Sequence, residues 1–160
     1  MNVYNPQIII EGPDKVGKDS LIEYIHILSN FKYCLNSRGI LSQLVYNDKY
    51  NRHNCYEITY KPLIILLTAD KDDQNIRCKL TNESEIDFSK DLNAFDKYSQ
   101  YLSDNDFAVV WKFNTSHITL FDLAKKIIQK LDLLDFNEFI IDKTNVLNSL
   151  YLYNSFYLYD

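Results

Sequence analysis

Residues 12 to 20 read G-P-D-K-V-G-K-D-S and lie between a short β-branched run and a stretch of helical periodicity. The run from Gln7 to Glu11, Q-I-I-I-E, has the look of a buried strand stopped by Gly12 and Pro13. Beyond the loop, Lys18 to Asn30 sets Leu21, Ile22, Ile25 and Leu28 at helical steps with polar residues between them. Strand, glycine-bearing loop and helix in that order leave few folds open. The glycines let the backbone wrap closely around an anion, and the positive end of the helix points at the same place. Gly12, Gly17 and Lys18 satisfy G-x-x-x-x-G-K, with Asp19 standing where a hydroxyl residue usually follows the lysine and Ser20 one place later. The pattern predicts a P-loop in which Gly12, Pro13, Asp14, Lys15, Val16, Gly17, Lys18, Asp19 and Ser20 surround the phosphates of a nucleoside triphosphate. Lys18 is expected to reach the terminal phosphates as a point charge.

The rest of the chain alternates strand-like and helix-like segments. Phe31 to Asn36 is a second short apolar stretch, and Ile40 to Tyr50 carries Leu41, Leu44 and Val45 at helical steps. Lys61-Pro62 opens Leu63 to Leu67, five aliphatic residues that suit a strand buried on both faces of a parallel sheet. Helices are expected from about Asp70 to Lys79 and from Phe88 to Leu102, then a fourth strand from Phe107 to Phe113. Thr119 and Asp122 form a T-x-x-D start for a last amphipathic helix through Leu123, Ile127 and Leu131. The alternation predicts an α/β domain over residues 1–134: three layers, a parallel sheet of four to five strands with the first strand central, and helices on both faces. Residues 135–160 form a tail of different composition. Its end, S-L-Y-L-Y-N-S-F-Y-L-Y-D from Ser149, reads as a β-hairpin turning at Asn154-Ser155 or as an aromatic-rich helix, packed on its own domain or serving as a homodimer interface.

Composition excludes several classes. The 160 residues are 46% hydrophobic and 24% charged, an ordinary balance for one domain. The net charge is -5 and the basic residues are scattered, which argues against a nucleic-acid partner, whose phosphate backbone is held by clustered Lys and Arg. Cys34, Cys55 and Cys78 form no CxxC pair, and His26, His53 and His117 have no metal-ligand spacing. No run approaches the roughly 20 apolar residues of a membrane span, and the start lacks the basic and apolar character of a leader, so a soluble cytoplasmic protein is expected.

The segment Glu11 to Lys18, E-G-P-D-K-V-G-K, resembles the loop E-G-x-D-[RK]-x-G-K of the thymidylate kinase and deoxynucleoside kinase group. Lys18-Asp19-Ser20 is similar to the GKD[ST] variant of some phage deoxynucleoside monophosphate kinases. Ser37 to Asn47, S-R-G-I-L-S-Q-L-V-Y-N, resembles the group's D-R-Y-x-x-S-S-x-A-Y-Q segment, with Arg38, Ser42 and Tyr46 in register. Pro62 to Asp70, P-L-I-I-L-L-T-A-D, is similar to the strand that leads into the lid, and Arg77 follows where a lid arginine is expected. The resemblance spans roughly residues 7 to 131.

It implies transfer of the γ-phosphate of ATP, with Mg2+, to a small nucleotide, a deoxynucleoside monophosphate first and a nucleoside second. Asp14 would meet the acceptor sugar hydroxyl, Lys15 would assist Lys18 at the γ-phosphate, and Arg77 would reach the nucleotide from the lid. Arg38 would hold the acceptor phosphate, with Ser42, Gln43 and Tyr46 near its base. Ser37 replaces the group's carboxylate, the E-P-G strand motif is absent, and one lid arginine remains. Asp19 is expected to restore the lost negative charge as a magnesium ligand, with Ser20 on the phosphates. A catalytically silent nucleotide binder is the rival reading. The N-K-x-D motif of a regulatory GTPase does not occur here, and F-I-I-D at Phe139 to Asp142, a faint candidate for the acidic strand end of an ATPase, comes too late in the chain. The Asn, Lys, Ile and Tyr bias suggests an AT-rich genome and, with the compact kinase pattern, a phage protein acting in the host cytoplasm.

Overall fold

The structure is a computed structural model that describes residues 7–52, 61–135 and 139. Most of the tail, including the segment from Ser149, lies outside the described residues, as do His53 and Cys55. Among the described residues four strands form one parallel sheet in the order β2-β1-β3-β4: β1 (Ile8–Glu11), β2 (Leu35–Ser37), β3 (Leu63–Thr68) and β4 (Val109–Asn114). Ile8 is paired with Leu35 on one side and Leu63 on the other, so β1 is interior as its unbroken aliphatic sequence requires. Burial on both faces explains why β1 and β3 do not alternate in polarity.

Among the described residues there are five helices, α1 (Lys18–Leu28), α2 (Ile40–Lys49), α3 (Lys71–Leu80), α4 (Ser89–Asp104) and α5 (Leu120–Asp132), and all but α3 contribute to the cores on the two faces of the sheet. Side chains of β1 and β3 that point one way, Ile8, Ile10, Leu63, Ile65 and Leu67, pack against Leu21 and Ile25 of α1 and Leu123 and Ile127 of α5. Those that point the other way, Ile64 and Leu66, pack against Leu41 and Leu44 of α2 and Phe95 and Tyr98 of α4. The molecule therefore has three layers with a core on each face of the sheet. Phe139, beyond the last helix, is buried in the α1/α5 core. At the start of α5 the Thr119 hydroxyl accepts the Asp122 amide at 3.1 Å, the cap that T-x-x-D predicted. No helix among the described residues is long and apolar enough to cross a membrane.

The second strand differs from its expected position. Phe31 is not in it: with Asn30 it takes a positive φ and ends α1, its amide donating to the His26 carbonyl at 2.7 Å while its ring stacks on His26. Phe31 stays 70% exposed against His26 in the last turn of α1, and pairing begins only at Leu35. The chain passes from β1 to β2 on one side and later to β3 on the other. Beside β1 the connections therefore leave in opposite directions and open a crevice at the carboxyl ends of the strands, where ligands of such sheets bind.

Candidate functional site

The loop after β1 owes its shape to two glycines. Gly12 has φ +144°, and a Cβ there would stand 2.4 Å from the Leu67 carbonyl oxygen, so the loop can lie against β3 only without a side chain. Gly17 has φ +92° and is the N-cap of α1, where it offers no side-chain acceptor to the amides of the first turn. Between them Lys15 holds a left-handed φ of 63°.

Three carbonyls of the loop are tied from behind. Gln74 of α3 donates to the Asp14 carbonyl at 3.0 Å, Arg77 to that of Lys15 at 2.7 Å, and the Thr115 hydroxyl to that of Val16 at 2.9 Å. Arg77 also reaches the Thr115 hydroxyl at 3.2 Å. In a trans peptide the N–H points away from the carbonyl of the residue before it. Fixing carbonyls 14, 15 and 16 on the α3 side therefore turns the amides of Lys15, Val16 and Gly17 toward the opposite side. That row of amides at the N-terminus of α1 has the backbone arrangement of an anion cradle.

The cradle opens into a cleft of about 570 Å³. One wall is the loop and the start of α1, with Asp14, Lys15, Lys18, Asp19 and Ser20, and another is the end of β2, with Ser37 and Arg38. The third is the connection from α3 to α4, which contributes Thr81, Glu83, Ile86 and Phe88. Lys18 is 8% exposed and its ammonium donates to the carbonyls of Gly12, at 2.9 Å, and Pro13, at 2.5 Å. Burial lowers its pKa, and the nearby Asp14 carboxylate opposes the effect. Lys15 turns to the third wall and donates to Glu83 at 2.5 Å and to the Thr81 hydroxyl at 3.0 Å. The hydrogen bond to Glu83 raises the lysine pKa and lowers that of the glutamate.

Across the cleft the Arg38 guanidinium donates to Asp14 at 2.9 Å, and it lies 5.8 Å from the centre of the Tyr46 ring. The Tyr46 hydroxyl is pushed up to about 12, first by burial and then by the Asp14 charge. Beside this pair the Ser37 hydroxyl donates to the Asp19 carboxylate at 3.5 Å. Among the described residues no group of three or more His, Cys, Asp and Glu side chains could hold a metal ion by itself.

The fold thus brings Asp14, Lys15, Lys18, Asp19, Ser20 and Arg38 into one cleft, while others of the expected residues lie elsewhere. Gly12, Pro13 and Val16 form the loop without lining the cleft. Arg77, anticipated at the nucleotide, braces the loop from outside. Ser42 is buried and its hydroxyl donates to Glu11, whereas Gln43 is exposed on α2 and Tyr46 stacks on Tyr50 behind Arg38. Sequence reasoning missed Gln74 and Thr115, which shape the loop, and Thr81, Glu83, Ile86 and Phe88, which form the third wall. Glu11 was visible in the motif but had no role assigned to it.

No protein-family model matches the chain, and no curated protein matches it. Among solved structures it is similar to the YorR protein of Bacillus subtilis in complex with phosphorylated GDP, with a TM-score of 0.60 and 19% sequence identity over 79% of this chain and 96% of that one. At this identity the likeness establishes architecture. The chain has a three-layer α/β fold with a parallel sheet.

Proposed function

We propose that the cleft binds ATP with Mg2+ and transfers the γ-phosphoryl group to a deoxynucleoside monophosphate. The observation that carries the reading is the presence of two cationic arms in one cleft: Lys15 and Lys18 on the anion cradle, and Arg38 across from them in the turn after β2. A triphosphate needs the first arm and the acceptor phosphate needs the second. The YorR structure, with a phosphorylated guanosine nucleotide bound, supports nucleotides as the ligand class.

In this reading the amides of the loop and Lys18 hold the β- and γ-phosphates, and Lys15 leaves Glu83 for the γ-phosphate. Arg38 holds the acceptor's phosphate, and Asp14 receives its sugar hydroxyl. An acceptor phosphate oxygen attacks the γ-phosphorus in line, the bond to the β,γ-bridging oxygen breaks, and ADP leaves. The side chains position these groups and neutralise the shifting charge, which is most of what phosphoryl transfer asks of a protein. Asp19 and Ser37 offer hard oxygens beside the cradle, the donor type Mg2+ takes when phosphates and water complete its shell. The ion supplies Lewis-acid neutralisation of the phosphate oxygens.

The test is a screen of every natural mononucleotide and nucleoside with ATP and magnesium, read by ADP release and by detection of the phosphorylated product. Turnover of a deoxynucleoside monophosphate is the expected result. A second reading, a silent nucleotide binder, draws on Lys15 and Lys18 each being satisfied by the protein's own acceptors. Triphosphate binding without turnover of any acceptor would favour it.

A further inference from the structure

Glu11, the last residue of β1, has no exposed surface and does not line the cleft. A buried carboxylate is expensive unless its oxygens are hydrogen-bonded, so its partners show what it serves. One oxygen accepts the amide of Gly39 at 2.7 Å and that of Ser42 at 3.3 Å, and the other meets the Ser42 hydroxyl. Burial raises its pKa, against the opposing hydrogen bonds from Ser42 and Gly39.

Gly39 is the N-cap of α2 and Ser42 the third residue of that helix. These are the two amides that a capping box normally satisfies from within the helix. Here the N-cap has no side chain and the first turn has no acid, so a carboxylate from the neighbouring strand performs the capping. A Cβ at Gly39 would come within 2.7 Å of the end of the Ile9 side chain and 3.3 Å of the Glu11 carboxylate, so a larger residue there would have to displace Ile9. The residue immediately before this cap is Arg38, a non-glycine at φ 64° whose own amide donates to the Ile10 carbonyl at 3.1 Å. Such a backbone persists only where its surroundings hold it. Ile10 grips it on one side, and Glu11, through Gly39, on the other.

We propose that Glu11 is a positioning residue for the acceptor: by capping α2 from β1 it holds Arg38 in its left-handed turn and so fixes the guanidinium in the cleft. This rests on the reading of Arg38 as the ligand of the acceptor phosphate. The role requires an acceptor atom facing Gly39 and a polar partner for Ser42, not a negative charge as such. Glu11→Gln supplies both, with the amide oxygen toward Gly39 and the NH2 toward the Ser42 hydroxyl, whereas Glu11→Ala supplies neither.

The experiment compares Glu11→Ala, Glu11→Gln, Ser42→Ala and Arg38→Ala in the full chain. It measures KM for the monophosphate acceptor, Kd for an ATP analogue, and hydrogen exchange at the Gly39 and Ser42 amides. Glu11→Ala should raise the acceptor KM about tenfold and speed exchange at both amides by a similar factor, with the triphosphate Kd within about twofold. Glu11→Gln should stay within about threefold of the unmodified protein in all three, and Ser42→Ala should raise the acceptor KM by about threefold. If Glu11→Ala does not fold, Ser42→Ala and Glu11→Gln still decide the matter. An equal rise of acceptor KM and triphosphate Kd, an unchanged acceptor KM, or a Glu11→Gln protein as impaired as the alanine variant overturns the proposal. If Arg38→Ala leaves acceptor KM unchanged, the assignment of Arg38 falls first, and unchanged exchange at Gly39 and Ser42 in Glu11→Ala would overturn the positioning role as well.

Discussion

The Asp14 carboxylate and the Arg38 guanidinium meet at 2.9 Å, joining the loop after β1 to the turn after β2 at the mouth of one cleft. Both side chains are more than half exposed, so the pair adds little to stability. Its interest lies in what it juxtaposes. A planar fork that can donate to two oxygens of a phosphate stands beside a carboxylate that can accept a hydrogen bond from a hydroxyl, and the two buried carbonyl contacts of Lys18 lie on the same loop.

Because the two cationic arms are separate, their removal should have separable effects. Lys18→Ala should weaken binding of an ATP analogue by about 10- to 100-fold, the loss typical of a charge-assisted contact. Arg38→Ala should leave that affinity within about threefold and raise the acceptor KM by a factor of about ten or more. Calorimetry with the analogue and steady-state kinetics with the acceptor measure the two, and equal loss of both affinities in both variants would undo the division of labour.

Gly12→Ala tests the close approach of the loop to β3. The added methyl would press on the Leu67 carbonyl, a backbone atom that cannot swing aside, at a φ of +144° that side chains rarely adopt. Strain and overpacking together should cost roughly 3 kcal/mol or more, lowering the melting temperature by about 10 °C. A thermal melt within about 2 °C of the unmodified protein would show that the loop relaxes around the methyl group.

How far the sequence disclosed this site depends on how local each feature is. The strand, glycine loop and helix from β1 to α1 were legible because they are contiguous, and Arg38 because it falls in register with the resembled kinase segment. Residues that act across the sequence were not legible. Gln74 and Thr115 act on carbonyls 60 and 99 positions away, and no spacing links such residues before the sheet is assembled. Arg77 is expected at the nucleotide by its place in the resembled lid, but its hydrogen bonds go to the back of the loop, where α3 supplies them. Ser42 aligned with a binding segment, yet its side chain faces β1, where Glu11 takes the hydroxyl. Phe31 misled the reading of β2 because an apolar residue can sit exposed in the turn that ends a helix as well as enter a strand.

Lys15 is held by Glu83, and a γ-phosphate must compete with that carboxylate for it. Glu83→Gln removes the competing charge and keeps the shape, so it should tighten triphosphate binding by about two- to threefold, an effect that shrinks at high salt. Glu83 titrates below its usual range because Lys15 donates to it, so the contact persists above the ordinary glutamate pKa and weakens only as pH falls through the depressed value. The difference between the two proteins should thus be constant from pH 6 to pH 8. An affinity unchanged by the substitution at low salt would mean that the pair does not restrain Lys15.

Glu11 gives the opposite sign. Its folded pKa is raised, chiefly by burial, so the folded state binds its proton more tightly than the unfolded state does. Its contribution to stability therefore declines as pH rises from the unfolded value, near 4.5, through the raised value. Glu11→Gln cannot ionise and lacks this decline. Chemical denaturation of both proteins from pH 4 to pH 8 should show the variant gaining on the parent as pH rises, and a constant difference would contradict the raised pKa.

Asp19 occupies the place where a hydroxyl normally follows the P-loop lysine, and Ser37 the place where the resembled kinases carry an acid. The two side chains face each other, the Ser37 hydroxyl 3.5 Å from the Asp19 carboxylate, so an exchange of acid and hydroxyl between the two positions leaves one of each in the same corner of the cleft. Mg2+ takes hard oxygens in an octahedron and usually draws on one or two carboxylates plus phosphate and water. With one carboxylate at this corner, Asp19 carries the charge that the ion would meet, within the positive field of the α1 terminus. Asp19→Asn retains an oxygen and the shape and removes that charge, so it should raise the magnesium concentration for half-maximal turnover by about tenfold, with little change in thermal stability. Asp19→Ser, which restores the common residue but leaves no acid at either position, should be impaired at least as much. Titration of activity against magnesium at fixed ATP decides it. An unchanged magnesium dependence in Asp19→Asn, or a loss of stability matching the loss of activity, would assign Asp19 to the helix terminus alone.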